Sequence, residues 1–137
     1  MGWKRGIGDS FLMDNKALLE QATEARKHAH CPYSRFPVGA ALLCSDGTVY
    51  TGVNVENAVN SLSICAERVA LFNAVSAGKH SFVKLAVVCE AAYCRPCGAC
   101  RQVLYEHAPD LEIVMGSSQG TYKSTTISNL LPEAFSL

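Results

Sequence analysis

Two periods alternate along this chain: short apolar runs bounded by turn residues, and longer stretches in which apolar positions recur every three or four residues. From Asp14 to Ala29, Leu18, Ala22, Ala25 and Ala29 share one face, which predicts a helix capped by Asp14 and ended ahead of Pro32. Val38 to Cys44 is a compact apolar run and reads as a strand. Ser45-Asp46-Gly47 then supplies a turn, and Thr48 to Val55 returns, forming an antiparallel hairpin. Glu56 to Ser63 is polar and loop-like. Ile64 to Ala77 is apolar on several sides, which predicts a helix with Ser63 as N-cap and Gly78 as its end, buried against a sheet or a partner subunit. Valine-rich Lys84 to Cys89 is a strand, and Pro96 opens a helix that runs to about His107. Glu112 to Met115 and Thr121 to Ser124 are short strands around a turn at Ser117 to Gly120. A last helix spans Ile127 to Leu131. The order α-β-β-α-β-α-β-β-α places helices between strands and predicts a layered α/β fold. Met1 to Met13, with Gly2, Gly6 and Gly8, is expected to be a flexible N-terminal arm, and residues 14–137 a single domain.

Composition narrows the function. Twelve basic and twelve acidic residues give a formal net charge of +0 with no dense basic run, so the expected substrate is a small molecule rather than a nucleic acid. No stretch is long and apolar enough to predict a membrane span. Charged residues make up only 18% of the chain, which hints at buried subunit interfaces. Seven cysteines, an odd number with no secretory signal ahead of them, favour free thiols and metal ligands over disulfides and point to the cytoplasm.

The strongest chemical signal lies at the starts of the two central predicted helices. Cys65-Ala66-Glu67 opens one, and Pro96-Cys97-Gly98-Ala99-Cys100 the other. Three thiolates can hold zinc and leave its fourth position to water, whose pKa the metal lowers. Cys97 and Cys100, three apart, share a helical face, and helix N-termini favour thiolates. Glu67, two residues past Cys65, is placed to move that water's protons. Arg68 is suited either to temper the thiolate charge or to form a surface ion pair. Three other readings compete: a redox Cys-x-x-Cys, an iron–sulfur run through Cys94, Cys97 and Cys100, and a closed structural zinc site with Cys94 as fourth ligand. The iron–sulfur reading lacks a cysteine beyond Cys100, and the closed site leaves Glu67 without a task. Cys31, Cys44 and Cys89 read as small core residues.

Taken together, several motifs carry a resemblance. Cys31-Pro32-Tyr33-Ser34, Phe36-Pro37-Val38-Gly39-Ala40-Ala41, Asn54-Val55-Glu56-Asn57-Ala58, Cys65-Ala66-Glu67-Arg68 and Pro96-Cys97-Gly98-Ala99-Cys100-Arg101-Gln102 resemble the small homotetrameric cytidine deaminases, over about Leu18 to Phe135. The resemblance implies a three-layer α-β-α sandwich with a five-stranded mixed sheet, and one zinc (Zn2+) per chain on Cys65, Cys97 and Cys100. It implies hydrolysis of cytidine and 2'-deoxycytidine to the uridines and ammonia, by attack of zinc-held hydroxide at C4 with Glu67 as proton shuttle. Asn54 and Glu56 would bind the ribose 3'-hydroxyl, Phe36 would pack on the base, and Ala66 with Glu67 would read the base edge. Phe135 would reach a neighbouring subunit's site in a homotetramer. Read without the resemblance, Asn54 is a turn residue, Glu56 a solvated acid, Phe36 core, and Phe135 a plug on its own subunit. The chain departs from the family at Asn60, where an aromatic is common. The alternative within the same fold is a deaminase of a modified cytosine nucleoside or a nucleoside antibiotic.

Overall fold

The computed structural model describes residues 13–137, so the expected arm lies, apart from Met13, outside the described residues. The elements are α1 (Asn15–Arg26), β1 (Gly39–Cys44), β2 (Val49–Val53), α2 (Ala66–Ser76), β3 (Phe82–Cys89), α3 (Gly98–His107), β4 (Glu112–Ser117), β5 (Tyr122–Thr126) and α4 (Ile127–Leu130). A 3-10 turn at Asn60–Leu62 interrupts the stretch expected to be loop. The five strands form one mixed sheet in the order β2-β1-β3-β4-β5, in which only β3 and β4 run parallel. That parallel pair is joined through α3, as a crossover requires.

Strand alternation builds two cores. Leu42, Leu85, Val87 and Ile113 face α2, α3 and α4, while Ala41, Leu43, Ala86, Val88 and Val114 face Leu18, Leu19 and Ala22 of α1. Both faces are covered, which is why β1 is apolar at every position. The arrangement is the α-β-α sandwich expected from the resemblance. Two glycines set how closely the helices lie. A methyl on Gly39 would run into the Ala22 carbonyl and the backbone of Arg26, and one on Gly52 into the Ala66 carbonyl and the amide of Ala70. Among the described residues no helix is long and apolar enough to cross a membrane.

The element order matches the sequence reading, and the differences lie at the ends. α1 stops at Arg26 rather than Ala29, because His30 must run extended to bridge Val55. α2 starts at Ala66 rather than Ile64, because Ile64 exchanges both backbone hydrogen bonds with Val55. Ser63 is therefore not the N-cap; its hydroxyl instead accepts from the Asn57 amide at 2.9 Å. Cys65 takes the cap position.

Candidate metal centre and substrate cavity

Cys65 caps α2 (φ −82°, ψ 153°) and Cys97 caps α3 (φ −70°, ψ 168°), and neither side chain makes a capping hydrogen bond to its helix. Both sulfurs are left for other use, and they lie 3.7 Å apart. Cys100, buried in the first turn of α3, completes a trio whose sulfurs all fall within 4.8 Å of one another. A tetrahedral zinc with Zn–S near 2.3 Å sets its sulfurs about 3.8 Å apart, so this trio fits the ion. Among the described residues no other group of three or more such side chains converges in this way. Cys94 is not in the cluster, which disfavours both the closed four-cysteine site and the iron–sulfur run and leaves a coordination position open. Burial, then hydrogen bonding with Cys89, pushes the Cys94 thiol up, so it stays protonated.

The charges around the trio suit a cation. The Cys65 thiol is pulled down, first by a hydrogen bond from Cys100 and further by Arg68 and Cys97. The Arg68 guanidinium stands 3.6 Å from the Cys65 sulfur through Nη2, and its Nε is buried with no partner among the described residues. Arg68 therefore faces the cluster rather than a surface acid. Glu67, in the first turn of α2, is 4% exposed. Burial pushes its carboxyl up to about 7, and the nearby Cys65 charge adds to the effect; its own amide and Arg68 oppose it.

The trio borders a cavity of about 590 Å³, within the size range of small-molecule sites. Phe36, Asn54, Glu56, Ala66, Glu67, Arg68, Cys65 and Cys97 all line it. Phe36 is 40% exposed, so it is a wall and not core. Asn54 donates through Nδ2 to the Phe36 carbonyl and accepts through Oδ1 from the Val38 amide, each at 2.9 Å. Each of those groups keeps a second donor or acceptor direction. Glu56 Oε1 accepts from the amides of Tyr33 and Ser34 at 3.0 and 3.1 Å; the Ser34 hydroxyl first, and these amides behind it, hold its carboxyl below the ordinary range. Asn54 and Glu56 thus brace the loop at Tyr33 to Val38 as well as facing the cavity.

Of the expected site residues, Cys100 joins the sulfur trio without lining the cavity, and Phe135 lies away from both. It is 68% exposed, borders a separate hollow with Tyr105 and Pro109, and its carbonyl accepts from Gln102 at 2.9 Å. Sequence reasoning missed Ser34, Ser63, Ile64 and Arg95 as lining residues. Ser34 closes the Cys31-Pro32-Tyr33-Ser34 motif and is brought in by its amide bond to Glu56; the other three carry no motif, Ser63 and Ile64 entering with the Val55–Ile64 bridge and Arg95 with the stretch before Pro96.

The family model for the cytidine and deoxycytidylate deaminase zinc-binding region matches residues 13–117. The chain belongs to that family. It is 50% identical over 125 residues to the cytidine deaminase of Halalkalibacterium halodurans, covering 90% of this chain and 95% of that one. It superposes with a TM-score of 0.88 on the crystal structure of cytidine deaminase from Burkholderia pseudomallei, at 50% identity over 90% of this chain and 100% of that one. More distantly, it is 30% identical over 124 residues to the blasticidin-S deaminase of Bacillus cereus, covering 84% and 87% of the two chains. A family of zinc-binding hydrolases and a trio that fits zinc agree on the cofactor.

Proposed function

We propose that this protein hydrolyses cytidine and 2'-deoxycytidine to uridine and 2'-deoxyuridine, releasing ammonia. We read residues 14–137 as one deaminase domain that works in the cytoplasm as a homotetramer. The observation that carries the reaction is a buried carboxyl, Glu67, beside a three-sulfur zinc cage at the wall of a nucleoside-sized cavity. Cys65, Cys97 and Cys100 would hold zinc, which when bound would lower the pKa of a water toward neutral. Glu67 is placed to carry two protons in turn, the first from the attacking water to the ring nitrogen and the second from the hydroxyl then on C4 to the amine as it leaves. C4 gains an oxygen and loses its amino group as ammonia, with no redox change. Phe36 packs on the pyrimidine, Ala66 and Glu67 read its edge, and Asn54 and Glu56 use their remaining donor and acceptor directions on the 3'-hydroxyl. Arg68 offsets the charge of the thiolates. The free state of all seven cysteines supports a reducing compartment.

Elemental analysis should find about one zinc per chain, as a three-thiolate catalytic site implies. The loaded protein should release ammonia from cytidine and 2'-deoxycytidine and far less from cytosine, which lacks the sugar. A zinc-loaded protein inert toward both nucleosides would defeat the proposal. The second reading, a nucleoside-antibiotic or modified-cytosine deaminase, draws on the blasticidin-S deaminase similarity and on Asn60, which puts a short amide on the cavity wall. Faster turnover of a base-modified cytidine than of cytidine would favour it.

A further inference from the structure

The backbone around Phe36 is held by side chains at almost every polar group. The Phe36 amide donates to Ser34 Oγ at 3.1 Å, and Asn54 holds the Phe36 carbonyl and the Val38 amide. Pro37 has no N–H to offer, and its carbonyl accepts from Arg26 Nε at 2.9 Å. Arg35, directly before Phe36, sits at φ +55°, a left-handed conformation that side-chain-bearing residues keep only where the surroundings enforce it. Of the side chains that hold Phe36 to Val38, Arg26 alone comes from α1, the layer on the opposite face of the sheet from the cysteine helices. It reaches the loop because Gly39 lets the last turn of α1 lie on the start of β1. The same guanidinium turns Nη2 toward Glu90, 3.8 Å away, in the loop that leads to Cys94 and Cys97.

We propose that Arg26 is a positioning residue for the deamination reaction: it fixes the height of the Phe36 ring over the base without touching substrate. The role rests on the reading of Phe36 as the wall against the pyrimidine. Arg26 is not part of either apolar core, and its side chain is only 18% exposed, so its hydrogen bond is shielded from competing water. A guanidinium has a fixed fork that serves the carbonyl through Nε while Nη2 faces the carboxylate; a lysine ammonium is a single point and serves one of them. Without the clamp, the Pro37 carbonyl loses its partner and the strained turn at Arg35 is free to relax, carrying Phe36 with it.

The test is a double-mutant cycle with Phe36→Ala, read as KM and kcat for cytidine on the zinc-loaded protein. Arg26→Gln should raise KM about tenfold and move kcat less than about twofold, with zinc content unchanged; in the Phe36→Ala background the same change should move KM less than about twofold. Arg26→Lys should raise KM by a smaller factor, again only when Phe36 is present, and it serves as the cycle's other arm if Arg26→Gln does not fold. Glu90→Gln should leave KM unchanged, since an exposed ion pair contributes little. Equal KM effects of either Arg26 variant with and without Phe36, or a kcat that falls in step with zinc content, would overturn the positioning role. A parent protein that releases no ammonia from cytidine would instead overturn the deaminase reading on which the role rests.

Discussion

At Glu67 two demands conflict: the group proposed to shuttle protons is also a buried acid. Its folded-state pKa of about 7 lies above the ordinary 4.5, so the folded chain holds the proton more tightly than the unfolded one. The resulting penalty is absent below the unfolded value, grows as pH rises between the two, and is complete above the folded value. Glu67→Gln should keep zinc and fold while losing on the order of a hundredfold or more in kcat. In metal-free protein the same change should stabilise the fold at pH 8 relative to pH 5, by on the order of 2–3 kcal/mol. Denaturant melts of the metal-free parent and variant at the two pH values check the second claim, and a gap that does not change with pH would contradict it.

The first turn of α2 is where element packing and site chemistry meet. Ala66, Ala70 and Ala74 form its buried inner stripe, and Gly52 on β2 receives the Ala66–Ala70 segment without room for a methyl group. Gly52→Ala should push α2 off the sheet, at roughly 1–3 kcal/mol for overpacking. Since Cys65 caps this helix, zinc should also be held more weakly, which competition with a chelator would measure; unaltered zinc affinity would separate the two effects. This element also shows what the sequence could and could not tell. The run Ile64 to Ala77 was legible as a helix, and Cys65 with Glu67 as its chemistry. The start at Ala66 was not, because it depends on Ile64 pairing with Val55, a contact made outside any regular strand. The family motif pointed to Asn54 and Glu56, which line the cavity, and gave no sign that they brace the Phe36 loop. Hydrogen bonds such as Arg26 to Pro37 join layers that local patterning does not relate.

At the scale of the whole molecule, apolar side chains remain on the outside in several places. Phe72 (42% exposed) and Val75 (36%) stand on the outer face of α2, Leu62 (66%) on the 3-10 turn, and Phe135 (68%) near the C-terminus. Single exposed apolar residues are ordinary, but Leu62, between the cavity-lining Asn60 and Ser63, together with Phe135 near the chain end suits association of several copies. Light scattering should give the mass of four chains, and truncation before Phe135 should raise KM for cytidine while leaving zinc bound. An active monomer would defeat the shared-site reading. The sulfur cage has a different consequence. Cys65 and Cys97 stand 32 residues apart in sequence and meet only when both helix starts are docked on the sheet. An unfolded chain holds no such cage, so an ion that binds it favours the folded state by mass action, in proportion to the logarithm of its free concentration. Metal supply should therefore set the fraction of chains that stay folded, as well as whether they turn over substrate.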